Sequence, residues 1–286
     1  KSIMIQLTLK TLWNQRRKNG WILIEMILVG FFLWKAVGVI FLTEYKAHIS
    51  PGYNERGVMH IELKECESDH DRYNPAADND SARMDNLRQI INTIRECPEV
   101  TSFFMLQGSE AIPNYDNYQS VGIKIDTTNC QVQLYSEVCY EGADIFGTYG
   151  IRDAYTGKEM QMNPTVPVEK SIYISKGLAD KYFKHANPVG KVFKMYGDNG
   201  QRKVAGVFSD VQTRDDMVPQ FLAITPCQMD STNIRGYVAL CFRIKADVDE
   251  KAFEEHFRQN IAPRLSVGNY YMVHLQSLKD IRKKKK

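Results

Sequence analysis

The chain has 286 residues, which is enough for one large domain or two ordinary ones. Apolar residues make up 43% of it and charged residues 25%, and these globular values exclude a chain that is disordered throughout. Six cysteines are too few for a chain of this length to be stabilised mainly by disulfides, as small secreted proteins are. The net charge is only +3, and the excess of positive charge lies at the two ends. From Glu44 to Arg282 there are 27 basic and 33 acidic residues, which argues against nucleic-acid binding.

A membrane-spanning helix is predicted near the N-terminus. The 23 residues from Trp21 to Thr43 are mostly apolar, and about 20 such residues span the core of a bilayer. The apolar part of a signal peptide is shorter, roughly 7–15 residues. Basic residues at 16–18 precede the segment, which predicts that residues 1–20 form a basic, amphipathic segment in the cytoplasm. The net-negative remainder of the chain is then expected on the other side of the membrane.

Two charged residues, Glu25 and Lys35, lie inside this predicted span. Glu25 is close to one end and can reach the head groups, whereas Lys35 is deeper. They are ten residues apart, about 15 Å along a helix, so they cannot pair with each other. Two interpretations of Lys35 remain open: its ammonium group reaches the interface from a lone anchor, or it faces other transmembrane helices. We favour the second interpretation, because a lone span gains nothing from a buried lysine.

The chain beyond the membrane segment begins with a β-α-β pattern. Residues 58–64 alternate between apolar and polar side chains, which predicts a half-buried strand. Apolar residues at helical spacing then predict a helix that begins at an N-cap of Asp80 or Ser81 and ends before Pro98. Residues 100–106 are a second predicted strand.

The far end of the chain repeats this pattern. A strand is predicted over residues 237–245, and a helix capped by Asp247 or Asp249 follows it and is closed by Pro263. Residues 270–275 are a further predicted strand. Two β-α-β units of this kind predict a split, ferredoxin-like α+β domain.

Residues 118–235 are predicted as a β-rich insertion between the two units. One short helix is expected, with Ser175 as its N-cap. The predicted strands are residues 121–125, 132–138, 171–174, 192–196, 203–208 and 221–225.

Motifs of known catalytic sites are missing from the sequence. There is no phosphate loop, because Gly190-Lys191 is followed by valine and has no upstream glycine at the required spacing. There is also no zinc-protease motif and no nucleophile-elbow motif. The sequence therefore predicts no catalytic, cofactor-binding or metal-binding residue. The acidic stretch around Asp69-His70-Asp71 could bind a cation, but a solvated loop is the preferred interpretation.

The six cysteines leave their redox state open. In an oxidising compartment, Cys130–Cys139 and Cys227–Cys241 are the pairs closest in sequence, but spacing alone does not decide among fifteen connectivities. Buried free thiols are an equally good interpretation. The cysteines are Cys66, Cys97, Cys130, Cys139, Cys227 and Cys241.

Several motifs in a fixed order resemble one family. Residues 174–183 (ISKGLADKYF) lead into Asn187-Pro188-Val189-Gly190-Lys191, and residues 204–211 (VAGVFSDV) follow after a hairpin. This order, with residues 140–151 before it, resembles the MacB-type periplasmic core domain of MacB/FtsX-like ABC-transporter permeases. We interpret these motifs as a signature of the fold and not as a ligand site. The signature residues are Asn187, Pro188, Gly190, Lys191 and Gly206.

The resemblance implies an architecture of four transmembrane helices, with this large extracytoplasmic domain between the first and the second. Residues 44–117 and 236–278 would then form a porter-like α+β subdomain, and residues 118–235 an inserted sabre-like subdomain. Residues 279–286 would be a basic juxtamembrane tail or a tag. The expected fold is thus α+β, preceded by a transmembrane helix over residues 21–43.

The resemblance also implies a function. The chain would be a permease subunit, or its N-terminal portion, in the inner membrane of a Gram-negative-type bacterium. It would work as a homo- or heterodimer with a cytoplasmic ABC ATPase, together with a periplasmic adaptor in some systems. ATP would bind to the ATPase, and this chain would bind no cofactor and catalyse no reaction. Its periplasmic domain would transmit the ATPase-driven motion (mechanotransmission) for efflux or for the handling of lipoproteins or peptides. The alternatives are a single-span sensor with an extracytoplasmic ligand-binding domain and, less favoured, a membrane-anchored hydrolase.

Overall fold

The computed structural model divides the chain into two units, residues 1–49 and residues 50–286, and we call the second unit the body. The structure describes residues 10, 13, 16–107, 119–125, 128–139, 143–162, 170–184, 186–195, 201–213, 218–219, 221–229 and 234–283. Most of the predicted amphipathic segment at the N-terminus lies outside these residues, as does residue 196 at the end of a predicted strand.

The first unit contains one long helix, α1 (Arg16–His48), which includes all of the predicted span. Within it, Gly20–Lys46 is long and apolar enough to cross a membrane, and it is the one such helix among the described residues. Its large apolar side chains are exposed along its whole length. A helix of 27 residues is about 40 Å long, which exceeds the roughly 30 Å hydrocarbon core of a bilayer.

The body contains an antiparallel four-stranded sheet. Its strands are β1 (Val58–Glu65), β2 (Val100–Gln107), β9 (Tyr237–Ile244) and β10 (Tyr270–Ser277). They lie in the order β10-β1-β9-β2, and all three pairings are antiparallel. Numbered by chain position, this is the order fourth, first, third, second, which is that of a ferredoxin-like sheet.

Two helices cover one face of this sheet. Helix α2 (Asp80–Arg95) connects β1 to β2, and helix α5 (Glu250–His256) follows β9. Helix α5 continues as a π-turn over Phe257–Ile261 and a 3-10 turn over Ala262–Leu265. The second face is also covered: Val58 belongs to the core on that side, and His60 is buried. Strand β1 is therefore buried on both faces near its start, and the prediction of a half-buried strand holds only for its end.

Six further strands form what we call the strand ring. The sheet continues from β2 in the order β4-β3-β6-β7-β5-β8, and β8 pairs back with β4, so that the pairings close on themselves. The pairings β4–β8 and β5–β7 are parallel and the others antiparallel. The strands are β3 (Gln119–Ile125), β4 (Thr128–Cys139), β5 (Ser171–Ser175), β6 (Val192–Met195), β7 (Gln201–Phe208) and β8 (Leu222–Gln228).

Strand β4 joins the two regions. Its first part pairs with β3, its last residues pair with the end of β2, and its second half also pairs with β8. One hydrophobic core also runs beneath both regions, and it includes Phe104 and Cys241 of the four-stranded sheet and Phe208 and Ile224 of the ring. Because the strands and the core are shared, the two regions form one packed body.

Three shorter helices complete the body: α3 (Ile145–Tyr149), α4 (Lys176–Phe183) and α6 (Leu278–Lys283). The Asp144 side chain accepts a hydrogen bond from the Phe146 N–H group at the start of α3. Helix α4 follows β5 directly and packs Leu178 and Ala179 on the ring. Residues 279–283 of the predicted tail at 279–286 belong to helix α6.

The helix caps differ in part from the prediction. The N-cap of α2 is Asn79, whose Oδ1 accepts from the Ala82 N–H group at 2.9 Å, and not Asp80 or Ser81. Asn79 takes this place because its backbone is still extended, while Asp80 is already helical. The N-cap of α5 is Asp249, one of the two predicted alternatives. Pro263 lies inside the 3-10 turn and does not close α5 itself, since the proline stands at a first position of this tighter turn.

The contacts of the predicted N-cap of α4 also differ from those of an ordinary N-cap. Ser175 occupies the cap position, but its side chain makes no capping hydrogen bond. Its Oγ accepts instead from the Leu222 N–H group of β8 at 3.1 Å. The Gly177 N–H group in the first turn of α4 donates to Oδ1 of Asp210, 33 residues further along the chain, at 2.7 Å.

Candidate functional site

The two charged residues of the predicted span contact residues on their own helix. The Trp21 Nε1–H group donates to Oε1 of Glu25 at 2.9 Å. The Lys35 ammonium nitrogen lies 5.7 Å from the centre of the Phe31 ring. Each charged group thus interacts with an aromatic side chain four residues earlier, one turn of the helix away.

The signature residues around Gly190 form the corner between α4 and β6. The Asn187 Oδ1 accepts from the Val189 N–H group at 3.0 Å, and the Lys191 N–H group donates to the Pro188 oxygen at 2.9 Å. Gly190 has a φ of +90°, which a residue with a side chain adopts only with strain. These contacts turn the chain back toward the ring.

The same corner is paired with strand β7. The Gly190 N–H group donates to the Val204 oxygen, and the Val204 N–H group donates to the Lys191 oxygen, both at 2.8 Å. Two residues later, Gly206 leaves no room for a side chain, because a Cβ atom would collide with the Met160 methyl group. All of these interactions are backbone pairing or packing within the fold.

A cluster that sequence reasoning missed lies at the start of the body, in residues 50–57, which we call the leading segment. The Gln212 N–H group donates to the Pro51 oxygen at 2.9 Å. The Asn54 N–H group donates to the Tyr149 oxygen, the last residue of α3, at 2.8 Å. The leading segment is therefore hydrogen-bonded both to the loop after β7 and to α3.

Two glycines allow this attachment. Gly52 has a φ of +75°, and a Cβ atom there would collide with the backbone oxygen of Asp210. Gly57 has a φ of +70°, and its N–H group donates to Oε1 of Glu250 at the start of α5 at 2.8 Å. A larger side chain at Gly52 would push the leading segment away from the body.

Arg243, in strand β9, holds the leading segment through its guanidinium group. Its Nη2 donates to the Asn54 oxygen at 2.8 Å, its Nη1 to the Arg56 oxygen at 2.6 Å and its Nε to the Thr148 oxygen at 2.8 Å. One side chain thereby joins the four-stranded sheet, the leading segment and α3. Partial burial lowers the pKa of Arg243, while the nearby charge of Glu159 acts in the opposite direction.

Helix α6 is attached at the same place. The Ser277 Oγ accepts from the Asp280 N–H group at 3.1 Å and donates to the Asp280 carboxylate at 2.8 Å, which caps the helix. Leu278 is fully buried in the core. The Arg282 Nη1 lies 3.0 Å from Oε2 of Glu55 in the leading segment, and both side chains are partly buried, with exposed fractions of 17% and 34%. The first and the last described parts of the body are thus joined by an ion pair.

An open cleft of about 960 Å³ lies beside the leading segment. Its volume is within the usual range for sites that bind small molecules. Four of its lining residues are glycines, and five are charged: Arg152, Lys158, Glu159, Asp210 and Arg243.

Two residues of the acidic stretch, His70 and Arg72, contact the same tyrosine of β10. The His70 ring stacks on Tyr271, with ring centres 5.6 Å apart, and the Arg72 guanidinium lies 5.9 Å from the centre of the same ring. Among the residues that the structure describes, no group of three or more His, Cys, Asp or Glu side chains is arranged to hold a metal ion.

The structure narrows the options for the cysteines. Cys66, Cys97 and Cys241 are buried free thiols, so the open alternative of a Cys227–Cys241 disulfide is not formed. Cys130 and Cys139 lie in the one continuous strand β4. Nine residues of extended chain separate them by about 30 Å, whereas a disulfide needs Cα atoms within about 7 Å. A Cys130–Cys139 disulfide is therefore ruled out by the strand itself.

Comparison with known proteins finds solved structures that are similar to this chain. No protein-family model matches the chain, and no curated protein matches it. The periplasmic region of MacB from Actinobacillus actinomycetemcomitans is similar with a TM-score of 0.48 and 14% identity, covering 82% of this chain and 94% of that one. In fold, the body resembles a MacB/FtsX-like periplasmic domain.

Two further solved structures are similar. One is the extracellular domain of the noncanonical ABC-type transporter YknZ from Gram-positive bacteria, with a TM-score of 0.43, 16% identity and coverage of 75% and 100%. The other is a domain of a permease protein from Porphyromonas gingivalis, with a TM-score of 0.41, 13% identity and coverage of 80% and 98%. All three likenesses concern the fold alone.

Proposed function

We propose that this chain is a permease subunit, or the N-terminal portion of one, of a MacB/FtsX-like ABC transporter. In this proposal α1 spans the inner membrane of a Gram-negative-type bacterium, with the N-terminus in the cytoplasm. The body lies on the periplasmic side and transmits motion that a partner ATPase generates. The ordered motifs from residue 174 to residue 211 support the family, and the length and composition of α1 support the anchor.

One observation supports the transmission of motion by the body: the leading segment and α6 contact each other and the same hydrophobic core. The ion pair between Glu55 and Arg282 joins them directly, and Arg243 ties the leading segment to β9 and α3. A domain inserted between two membrane helices needs its two connections close together. It also needs them firmly attached, because a loose connection would absorb the motion of the helices.

In this proposal, ATP is bound and hydrolysed by a partner protein and not by this chain. This chain has no phosphate loop, so we infer that ATP binds to a separate cytoplasmic ATPase and that this chain binds no cofactor and is not itself an enzyme. We infer a homo- or heterodimer of permease subunits, with a periplasmic adaptor as a further partner. The transported material belongs to the classes that the family resemblance implies: small effluxed compounds, peptides or lipoproteins.

The reading frame beyond Lys286 and the neighbouring genes test this proposal. We expect three further apolar spans in the frame, and an adjacent gene for an ATPase with a phosphate loop. Co-purified from native membranes, the two proteins should hydrolyse ATP, whereas a phosphate-loop Lys→Ala variant of the ATPase should not. A frame that ends without further spans, with no ATPase in the purified complex, would favour the single-span sensor instead.

Lys35 gives a second test of the same proposal. If α1 packs against other helices, a cysteine at position 35 in the complete complex should crosslink to a neighbouring helix and react slowly with lipid-phase probes. A cysteine at Trp34, one residue earlier and facing about 100° away, is the matched comparison. Equal labelling of both positions from the lipid phase would contradict the packing of Lys35.

A further inference from the structure

The cleft beside the leading segment contains a positive charge that lacks an acidic partner. The guanidinium group of Arg243 donates only to three backbone carbonyl oxygens, and no described carboxylate lies within ion-pair distance of it. Carbonyl oxygens orient the group but carry no net charge. A partly buried cation without a counter-charge is unfavourable, and such groups are usually paired or bind an anion.

Two more cations line the same cleft. Arg152 and Lys158 are exposed, and neither forms an ion pair with a described carboxylate. The one hydrogen bond that the Arg152 side chain makes is a long contact of 3.5 Å to the Gly157 oxygen. Both side chains are therefore available to a ligand, and neither is needed to hold the fold.

The carboxylates of the cleft do not cancel this charge. Asp210 uses its Oδ1 to accept the Gly177 N–H group of α4 at 2.7 Å. Glu159 is exposed and lies near Arg243 without forming an ion pair with it. Three cations thus share the cleft with two carboxylates, one of which is already engaged.

We propose that this cleft is a binding site for a phosphate group, held by Arg243, Arg152 and Lys158. Arginine suits this ligand because its planar fork of N–H groups matches two oxygens of a phosphate, and lysine adds a point charge. The carbonyl contacts that fix Arg243 also reduce the entropy that binding would otherwise cost.

The phosphate can come from a free anion or from a lipid head group. Ser50 lines the cleft and stands two residues after His48, the last residue of α1. Two residues reach at most about 7 Å, so a spanning α1 would bring this part of the chain to the membrane surface. The lipid source therefore rests on the proposed function, whereas the binding of free phosphate does not.

The test uses the full chain in dodecyl maltoside micelles, which contain no phosphate. Sodium phosphate is titrated by calorimetry into the wild type and into the variants Arg152→Gln and Lys158→Gln. Each variant removes one charge-assisted contact, so the dissociation constant should rise about tenfold for each. Arg88→Gln is the matched control, because Arg88 is also an exposed arginine and lies on α2, outside the cleft.

A second arm distinguishes the two sources. Phosphatidylglycerol is added to the micelles and phosphate binding is measured again. Displacement of phosphate by the lipid identifies a head group, and undisturbed phosphate binding identifies a free anion; both support the site. Absence of phosphate binding, or equal weakening by Arg88→Gln and Arg152→Gln, overturns the proposal. Such a failure leaves the permease proposal standing, since that depends on the reading frame and the partner ATPase.

Discussion

The four-stranded sheet and the strand ring share one core, but their helices are anchored in different ways. In the four-stranded sheet, α2 and α5 are capped by the residues that immediately precede them, Asn79 and Asp249. In the strand ring, the first turn of α4 is capped by Asp210, which lies beyond two further strands. The preceding residue, Ser175, bonds to β8 instead. The helices of the first region are thus capped locally, whereas α4 of the second is capped by a residue distant in sequence.

This difference has a consequence for stability. A local cap stabilises the helix that it precedes, and its loss is felt mainly there. A hydrogen bond between distant residues holds two elements together, so its loss loosens both of them. The destabilising effect of a lost helix cap in the ring should therefore extend further through the structure than that of a lost helix cap in the four-stranded sheet. The four-stranded sheet also has side-chain contacts between distant residues, chiefly the ion pair of Arg83 with Glu65 and the hydrogen bonds of Arg243 to the leading segment.

The largest effect is expected for Arg83→Ala in the four-stranded sheet. Arg83 of α2 donates to Glu65 at the end of β1 at 2.6 Å, and both side chains are nearly nine-tenths buried; it also contacts Asp78 and Asp80. Removal leaves the buried Glu65 carboxylate without its main donor, which should lower the free energy of unfolding by about 2–3 kcal/mol.

Urea denaturation of the full chain in detergent measures this loss. Near-ultraviolet circular dichroism of tyrosine is the suitable signal, because the three tryptophans all precede the body. Arg88→Ala, which breaks an exposed ion pair with Asp85 on the same helix, should change stability by less than about 0.5 kcal/mol. Equal losses in the two variants would show that the Arg83 cluster does not fix α2 to β1.

Ser175→Ala is expected to have the next largest effect, in the ring. Ser175 and Leu222 are both fully buried, so the variant leaves the Leu222 N–H group without an acceptor. The expected loss is about 1–2 kcal/mol. Amide hydrogen exchange should show faster exchange at Leu222 of β8. Faster exchange confined to the first turn of α4 would mean that Ser175 acts as an ordinary N-cap.

Asp210→Ala and Asp249→Ala compare a distant cap with a local one. Each removes a carboxylate that accepts one N–H group in a first helical turn, so each should cost about 1 kcal/mol. The extent of the change should differ: Asp249→Ala should affect exchange in α5 alone, and Asp210→Ala should affect both α4 and the loop after β7. Similar, purely local changes in both variants would remove the distinction between the two regions.

The same distinction explains what could be predicted from the sequence. Alternation and helical spacing act within a few residues, so the four strands and two helices of the ferredoxin-like sheet were predicted with small errors in the caps. All six ring strands were also predicted, but β4 is longer than residues 132–138, because its extra residues are held by pairing with β3 and β8. The closure of the ring by β4 and β8 depends on residues about 90 positions apart, and no local pattern reports it.

The candidate site was missed for the same reason. Arg243 is a single charged residue in an otherwise apolar strand, and its partners Asn54 and Arg56 are backbone oxygens nearly 190 residues away. Side-chain identity says nothing about backbone acceptors. One signal was available in the sequence. Arg243 occupies a position on the same face of β9 as Ala239 and Cys241, and both of these residues are buried.

The smallest effect is expected at Asp144, the cap of α3, which packs between the two regions. Burial raises the pKa of Asp144, the Phe146 and Gly147 N–H groups lower it in part, and the nearby Glu159 raises it again. Because the folded state binds this proton more tightly than the unfolded state does, the contribution of Asp144 to stability is greatest below its ordinary pKa of 3.8. It is lost as the pH rises through the pKa of the folded state.

Asparagine caps a helix equally well and does not titrate. Asp144→Asn should therefore match the wild type in Tm near pH 3.5 and exceed it slightly at pH 7, after subtraction of the change caused by Asp249→Asn at the exposed cap of α5. A Tm difference that stays constant with pH would show that the Asp144 carboxyl group is not desolvated at the junction of the sheet and the ring.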